Sequence, residues 1–255
     1  MKRLLILSIL FTMFLPGLFS QRFLGSVIAG MNLSKIDGDE VDGFYKAGAN
    51  FGAALSLPLD EKQHWTVTLE LLYTQKGSYK KYRAAGHFDT LVYAANMFTD
   101  VDRSVAFDPK MKCKINLDYV EIPIMVHYED FRSGCSIGAG FSWGRLVRAK
   151  EIYNGFLRTT NVRSKTYSTS DWGVFADARI KLWRGLKLGI RYQYSLVPVR
   201  KMTYTTVKTN GATDSWNRKF YNTSISVRLM YIINEKFKKD EHGKWVKDTS
   251  STSKK

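Results

Sequence analysis

The sequence predicts an all-β fold, an eight-stranded antiparallel transmembrane β-barrel with short periplasmic turns and long extracellular loops. Three observations support this prediction. Segments of about ten residues alternate apolar side chains with polar or small ones, and this length lets a tilted strand cross a bilayer. The connections between these segments are alternately long and short. The chain also begins like an exported protein.

Residues 117–128 illustrate the alternation. Successive side chains of a strand point to opposite sides. One side of this segment is apolar from Val120 to Tyr128, with Asp118 at its far end, whereas the other side includes Glu121. One side therefore suits hydrocarbon, and the other can hold a carboxylate. A soluble sheet can carry the same pattern, so the prediction depends on how often the pattern recurs.

The pattern recurs seven more times, which gives eight strands. An even number is typical of outer-membrane barrels, and eight suits a small barrel filled by side chains rather than water. The mean hydropathy of −0.25 argues against a bundle of membrane helices but not against a barrel, because half of a barrel's strand residues face inward. The predicted strands are 26–34, 47–57, 65–75, 117–128, 135–146, 172–182, 186–196 and 221–233.

The connections provide an independent test. They are long after the first, third, fifth and seventh strands and short after the second, fourth and sixth. A barrel with its N-terminus in the periplasm has this parity, whereas a soluble sandwich has no reason to show it. The long connections are 35–46, 76–114, 147–171 and 197–217, and the short ones are 58–64, 129–134 and 183–185.

Aromatic side chains lie at both ends of the predicted strands. Girdles of Trp and Tyr are expected where amphipathic rings meet lipid head groups, although aromatic residues also favour strands in general. The predicted inner girdle contains Trp65, Tyr128, Phe131, Trp183 and Tyr231, and the outer one contains Tyr73, Trp143, Trp172, Tyr192 and Tyr194.

The N-terminus predicts export. Two basic residues precede an apolar run over 4–19, and the small residue Ser20 marks a candidate cleavage site. The run is interrupted by Pro and is shorter than the roughly 20 apolar residues of a membrane anchor. We therefore predict a signal peptide at 1–20, an integral outer-membrane barrel at 21–233 and a flexible Lys-rich periplasmic tail at 234–255.

The only two cysteines are Cys113 and Cys135. Two cysteines in an exported protein suggest a disulfide. These two fall at opposite ends of the strand predicted at 117–128, whereas a disulfide requires Cα atoms within about 7 Å of each other. We therefore expect two unpaired thiols.

Three stretches carry a resemblance to a known family. They are GSVIAGMN at 25–32, ELLYTQKG at 70–77 and LDYVEIP at 117–123. With these residues the chain resembles the PorT-like outer-membrane β-barrel proteins of Bacteroidota, over roughly 21–233. The resemblance implies an outer-membrane barrel. Because the family's namesake takes part in type IX protein secretion, the resemblance also suggests the hypothesis of a role in that process. It supplies no catalytic residues, and the tail after residue 233 departs from the family's pattern.

Six charged side chains are predicted to point into the barrel near mid-strand. Glu70 and Glu121 lie on strands that face the strands of Arg191 and Arg228 across an eight-stranded barrel. An uncompensated ion there would cost several kcal/mol, so we expect hydrogen-bonded pairs that plug the lumen. A gated pore or proton path is the alternative. The predicted lumen charge network comprises Glu70, Glu121, Asp177, Arg179, Arg191 and Arg228.

Enzymatic chemistry has little support in the sequence. The four histidines, His64, His87, His127 and His242, do not cluster along the chain or on one predicted barrel face. No nucleophile elbow, metal-binding His pair or phosphate-cradling loop occurs. We expect no catalytic residue, no metal and no cofactor.

The loops are the remaining candidates for function. The longest, 76–114, is a partner-binding surface or simply a hairpin that extends two strands above the membrane, and both readings can hold. Basic residues in the later outer loops suit the anionic surface of lipopolysaccharide, although a merely solvated surface is an equal alternative. The formal net charge of +16 would also suit nucleic acid, but export makes us expect no nucleic-acid partner. The candidate partner-binding residues are Tyr79, Tyr82, Arg83, Tyr93 and Phe98.

The sequence leaves two functions open, neither of them enzymatic. The first is an accessory of type IX secretion or envelope assembly that makes protein contacts through 76–114 and the tail. The second is a surface binding or structural barrel, in contact with outer-membrane lipid, whose basic loops engage lipopolysaccharide or host ligands. A third function, a small channel, needs a lumen clear of the charge network.

Overall fold

The computed structural model describes residues 23–38, 43–60, 64–81, 112–130, 133–153, 156–158, 162, 165–207, 213–233, 237–239 and 245–247. The signal peptide predicted at 1–20 lies outside these residues, as does the middle of the longest loop, 82–111. No helix in the described part of the chain is long and apolar enough to cross a membrane.

The described residues form twelve strands. They are β1 (Leu24–Asp37), β2 (Lys46–Pro58), β3 (Trp65–Lys81), β4 (Lys112–Asp130), β5 (Cys135–Tyr153), β6 (Phe156–Arg158), β7 (Ser170–Trp183), β8 (Leu186–Ser195), β9 (Arg200–Val207), β10 (Thr213–Ile232), β11 (Phe237–Lys239) and β12 (Trp245–Lys247).

Eight of these strands form a closed antiparallel barrel, which confirms the predicted fold class. Neighbours in the ring are β1, β2, β3, β4, β5, β7, β8 and β10. The last strand pairs back with the first, residues 26–37 of β1 lying opposite 221–232 of β10. Closure satisfies the backbone hydrogen bonds of every barrel strand, which a sheet inside a bilayer requires.

Side chains of the barrel strands alternate between outside and inside. In β4, Ile122 is 36% exposed and Ile124 is 54% exposed, whereas Glu121 and Met125 are buried at 2% and 1%. The exposed set forms the apolar outer wall, because lipid chains cannot satisfy polar groups. The polar residues of the same strands therefore point into the lumen, where they can satisfy one another.

Several strands on one side extend well beyond the length that crosses a bilayer. β3 has 17 residues and β4 and β5 have 19 each, against about ten that a crossing needs. The boundaries predicted at Gln75 and Leu146 are too early, because the ladder continues to the pairs Lys81–Lys112 and Cys113–Tyr153. The apolar alternation that defined the predicted strands stops where the wall leaves the hydrocarbon. The backbone hydrogen bonds between the strands continue beyond that point.

A β-bulge in β5 changes the direction of its side chains at the outer end of the barrel. Leu146 lies opposite Tyr119, but the next pair joins Arg148 to Asp118, so Val147 is an extra residue. Leu146 is buried inside, and regular alternation would also point Arg148 inward. The bulge instead leaves Arg148 exposed on the outer wall. Bulges at barrel rims commonly redirect side chains in this way.

Two predictions concern the chain outside the barrel wall. The tail predicted to be flexible contains a short antiparallel hairpin, β11 paired with β12, and its other residues lie outside the described part of the chain. Cys135 is exposed and unpaired, as predicted. Cys113 lies at the opposite end of β4, in the pair with Tyr153.

Candidate functional site

Five of the six charged residues predicted in the lumen meet in one cluster at mid-barrel. Glu70 Oε1 of β3 accepts a hydrogen bond from Arg191 Nη2 of β8 at 3.0 Å, and Arg191 Nη1 forms an ion pair with Glu70 Oε2 at 2.9 Å. Arg228 Nη1 donates to Glu70 Oε2 at 3.1 Å, and Arg179 Nη2 donates to Oε1 at 3.3 Å. Because β8 lies opposite β3 in the ring, these bonds cross the lumen.

Asp177 supplies the second carboxylate of this mid-barrel cluster. Its Oδ1 accepts a hydrogen bond from Arg179 Nε at 2.6 Å, and its Oδ2 accepts from Arg191 Nε at 3.0 Å and from Arg228 Nη2. All five side chains are at most 4% exposed. Each buried ion would cost several kcal/mol if left alone, so the five depend on one another. Three guanidinium groups and two carboxylates give the cluster a formal charge of +1.

A glycine on the neighbouring strand β1 allows one of these arginines to lie close to the barrel wall. A Cβ on Gly30 would lie 2.8 Å from Arg228 Cα and 3.0 Å from its Cγ. Those distances are shorter than carbon atoms tolerate, so a larger residue would push β10 or the arginine away. Gly30 thereby fixes where Arg228 enters the cluster.

A second cluster lies nearer the outer side of the barrel. Lys76 Nζ is 2.5 Å from Glu121 Oε1 and 3.6 Å from Asp171 Oδ2. Asn222 Nδ2 donates to Asp171 Oδ2 at 3.3 Å and to the Tyr119 hydroxyl at 3.2 Å. One ammonium group and two carboxylates give this outer cluster a formal charge of −1, which balances the +1 of the mid-barrel cluster.

The place of Glu121 differs from the sequence prediction. We expected it to reach Arg191 or Arg228, and the structure instead pairs it with Lys76. Lys76 was assigned to a loop, but β3 continues past it and alternation turns its side chain inward. A cation on the neighbouring strand is closer than one on the far wall, so Glu121 pairs with Lys76.

The inner end of the lumen contains a third ion pair. Lys187 Nζ donates to Glu129 Oε1 at 2.6 Å, and both residues are 5% exposed. His127 is also buried there, with Arg179 and Lys187 among its charged neighbours. This pair is formally neutral, so the three groups of lumen charges balance as a whole.

The outer mouth of the barrel is closed by a cap of apolar side chains and loop backbone. Tyr167 and Val199 come from loops and are 4% and 1% exposed, and they pack with strand residues such as Leu146. Ser168 N donates to Val199 O at 2.7 Å, which ties the two loops together. The cap and the charge clusters together fill the lumen with side chains.

Polar contacts hold the cap in place. The Tyr167 hydroxyl donates to Glu151 Oε1, and Arg200 Nη1 donates to the same oxygen at 3.0 Å. The Arg200 guanidinium also lies 5.3 Å from the centre of the Tyr167 ring. Burial, and then the nearby Glu151 carboxylate, raise the pKa of the Tyr167 hydroxyl above its ordinary value. The hydroxyl therefore remains a donor to Glu151 well into the alkaline range.

The outer wall of β4 and β5 changes from aromatic to basic side chains in successive rows of paired residues. One row contains Trp143 and Trp172, whose ring centroids lie 6.4 Å apart. The next row outward pairs Val120 with Arg145, which is exposed. Rows are about 7 Å apart along a strand. The hydrocarbon boundary on this side therefore lies between the tryptophan row and Arg145.

Further rows add more cations to the same outer wall. Arg148 and Lys150 follow Arg145 outward on β5, and Lys114 of β4 lies one row beyond Lys150, opposite Ile152. Arg145, Lys114 and Lys150 form no ion pair with any residue that the structure describes. We call Arg145, Arg148, Lys150 and Lys114 the basic stripe. It lies directly above the aromatic girdle.

Asp118 anchors one member of the basic stripe. Its Oδ2 accepts hydrogen bonds from Arg148 Nε and, at 2.9 Å, from the Tyr73 hydroxyl. The Asp118 side chain is 1% exposed, whereas that of Arg148 is 51% exposed. The carboxylate therefore holds the guanidinium group at Nε, while about half of the Arg148 side chain stays exposed.

The remaining predicted site residues lie mostly outside the described residues. Tyr79 is half-buried on the outer part of β3, opposite Lys114. The other candidate partner-binding residues, Tyr82, Arg83, Tyr93 and Phe98, cannot be placed, nor can His87 and His242. Among the described residues, no group of His, Cys, Asp and Glu could hold a metal ion.

Sequence reasoning missed several residues that the structure brings together. Lys76 and Asp171 lie just beyond the predicted ends of their strands, and both occupy positions that alternation turns inward. Predicted strands of the observed length would have included both residues. Arg148 and Asp118 gave no such signal, because the bulge that joins them on the outer wall breaks the alternation.

Family comparison decides what kind of barrel this is. The model of the family described as outer membrane protein beta-barrel domain matches residues 19–200, more than half of the chain. The chain belongs to this family. The protein is therefore an outer-membrane β-barrel, and its location in the outer membrane is as predicted. The match supports the coarser part of the sequence resemblance and does not extend to the PorT-like group.

The chain is also similar to several solved structures. Neisserial surface protein A is 13% identical, with 83% of this chain and 97% of that chain covered and a TM-score of 0.40. A major outer membrane protein from Thermus thermophilus is 12% identical, with 83% and 99% covered and a TM-score of 0.42. Ail, the attachment invasion locus protein of Yersinia pestis, is 9% identical, with 82% and 99% covered and a TM-score of 0.37. No curated protein sequence matches the chain.

Proposed function

We propose that this family member is a non-enzymatic outer-membrane barrel that acts through protein contacts, as an accessory of type IX secretion or envelope assembly. The filled lumen is the observation that carries the proposal. Side chains from opposite walls meet at mid-barrel through Glu70 and Arg191, and the loop residues Tyr167 and Val199 cover the outer mouth. With this interior, the surfaces outside the bilayer are what a partner can contact.

The extended wall of β3, β4 and β5 supports contact with another protein. These strands continue beyond the bilayer as a paired sheet, and Lys81 pairs with Lys112 at the end that the structure describes. This wall holds Lys81 and Lys112, the residues that flank the 82–111 connection, beyond the bilayer. The type IX part of the proposal comes from the sequence resemblance, and the 1–20 signal peptide and the 234–255 tail belong to the same proposal.

A deletion strain tests this function. Type IX cargo would be measured in the medium and in the periplasm, with and without a plasmid copy of the gene. We expect cargo to accumulate in the periplasm of the deletion strain and the plasmid to restore export. Unchanged export in the deletion strain would end the secretion proposal.

A shortened variant then locates the contact. Because Lys81 and Lys112 are direct partners in the ladder, a two-residue turn can replace 82–111 without disturbing the barrel. We expect this variant to insert normally and to fail to restore export. The matched control is Arg184→Gln, which changes an exposed residue of a short turn at the other end of the barrel and should restore export fully.

The basic stripe favours a second candidate function. Cations left without ion-pair partners among the described residues, at the level of lipid head groups, suit a surface barrel that engages lipopolysaccharide or other anionic ligands. Bilayer conductance separates both candidates from a channel. The protein reconstituted in a planar bilayer should show no ion conductance, because paired charges occupy its lumen.

A further inference from the structure

We infer that the basic stripe is a binding site for the phosphate groups of lipid A, the phosphorylated glycolipid of the outer leaflet, on the membrane-facing wall of β4 and β5. This inference deepens the second candidate function and rests on it. It places the ligand on the barrel wall rather than on the basic loops. The wall is rigid, so the positions of the cations are fixed before the lipid arrives.

The depth of the stripe points to a lipid head group. Aromatic girdles lie at the head-group level of a membrane, and Trp143 and Trp172 form the girdle on this side. Arg145 lies one row farther out, and Arg148 one row beyond that. Each row adds about 7 Å along the strand. The stripe therefore begins at the depth of lipid phosphates, and it ends where the wall enters water.

The charges of the stripe are available to a ligand. Lumen cations such as Arg191 are buried and fully paired, whereas Arg145 and Lys150 have no ion-pair partner among the described residues. Asp118 is the one acidic residue of the described outer wall that contacts the stripe, and it engages a single edge of Arg148. Four cations against one carboxylate leave a formal charge of +3 on this patch.

The geometry of Arg148 matches a phosphate ligand. Its Nε is held by Asp118, which in turn accepts a hydrogen bond from Tyr73. A guanidinium group oriented in this way presents its terminal N–H groups side by side, the arrangement that binds phosphate through two parallel hydrogen bonds. Asp118 is thus a positioning residue, and Arg148 is the residue that would touch the lipid.

The bulge at Val147 explains why Arg148 lies on the outer wall. If Val147 took a regular place in the ladder, alternation would point Arg148 into the lumen on the side of Leu146, where it would add an uncompensated cation. With the bulge, Arg145 and Arg148 share the outer wall although they are three residues apart. An irregularity that turns a cation toward the membrane interface is consistent with a ligand at that position.

Binding of lipid A to the purified full-length protein in detergent tests the inference. The probe is fluorescent diphosphoryl lipid A, and the comparison probe is the same lipid with its phosphates removed. The variant R145Q/R148Q/K150Q should weaken binding of the phosphorylated probe by about 100-fold, since each cation near an anionic surface contributes about tenfold or somewhat less. The dephosphorylated probe should bind wild type weakly and be insensitive to the variant.

A control with the same loss of charge separates a site from general attraction. R184Q/K201Q/K219Q also removes three exposed cations, all away from the stripe, and should change affinity by about twofold or less. Equal losses in the two triple variants would overturn the inference. So would equal competition by phosphatidylglycerol vesicles or by inorganic phosphate, which would mean that any anion is accepted.

Single variants keep the test sharp if the triple variant does not fold. R148K retains the charge but cannot donate to Asp118 and chelate a phosphate at once, so it should weaken binding by about tenfold. R145Q, at an exposed position without a described ion-pair partner, should fold normally and also weaken binding. Full affinity in both would overturn the inference. The secretion assay is separate, so failure here leaves the protein-contact function to its own test.

Discussion

The lumen and the outer wall use the same residue types under opposite physical conditions. Arg191 is 1% exposed and pairs with both Glu70 and Asp177. Arg148 on the outer wall has a half-exposed side chain and one anchoring carboxylate. Inside the barrel a buried charge needs an oppositely charged partner, because an isolated buried ion costs several kcal/mol. At the membrane interface a cation tolerates an open side, and that open side is what a ligand can use.

The comparison also separates stability from binding. Charges in the lumen connect walls that are distant in the chain, so removing one should destabilise the fold. Charges of the stripe connect nothing but the Asp118 anchor, so removing one should change binding and leave the fold intact.

Glu70→Gln should have the largest effect. It leaves three buried guanidinium groups around one carboxylate, and loss of one partner from a buried ion network costs about 3–5 kcal/mol. The free energy of unfolding would be measured by urea titration of the barrel in phospholipid vesicles. The double variant E70Q/R191M restores the cluster charge to +1 and should recover much of the loss. A wild-type midpoint for E70Q would mean that the cluster does not stabilise the barrel.

Lys76→Met should have a smaller effect, about 2–3 kcal/mol, again measured by urea titration. It removes the cation between Glu121 and Asp171, but amide donors remain, because Gln193 Nε2 lies 3.5 Å from Glu121 Oε2 and Asn222 still bonds Asp171. K76R keeps the charge and serves as the control. A loss in K76M as large as that in E70Q would show that both clusters act as one network.

Tyr167→Phe should have the smallest effect, and one that depends on pH. Burial and Glu151 raise the folded-state pKa of the hydroxyl above the ordinary 10.0. A group with a raised folded pKa contributes its full stability below the unfolded pKa and loses it as the pH rises toward the folded pKa. The wild type should therefore lose stability relative to Y167F as the pH rises above about 10.

The pH dependence of Tyr167 would be measured as the difference in unfolding free energy between wild type and Y167F from pH 8 to pH 11. Other groups titrate in both proteins, so their contributions cancel in the difference. A difference that stays constant over this range would contradict the coupling of the hydroxyl to the cap.

The fold could be predicted from the sequence because a membrane barrel repeats one constraint along every strand. Every second residue faces hydrocarbon, so segments such as that around Ile122 and Ile124 reveal both strand and orientation. The same parity placed Glu70, Asp177 and the three lumen arginines inside. It could not say where each strand ends, because beyond the hydrocarbon the ladder continues without the apolar pattern. Lys76 was missed for that reason.

The sequence by itself determined the eight barrel strands, their order and the inward direction of the six charges in the predicted network, because alternation and loop parity are properties of the chain. Only the tertiary structure decided which charges meet. Glu121 pairs with Lys76 rather than with the lumen arginines, because pairing inside a barrel depends on strand register and on which cation is nearest. Because Val147 bulges out of the ladder, Arg148 lies on the outer wall, whereas regular alternation would place it inside the barrel. A single-residue change of phase leaves no mark in composition or periodicity, so it becomes visible only when the strands are paired.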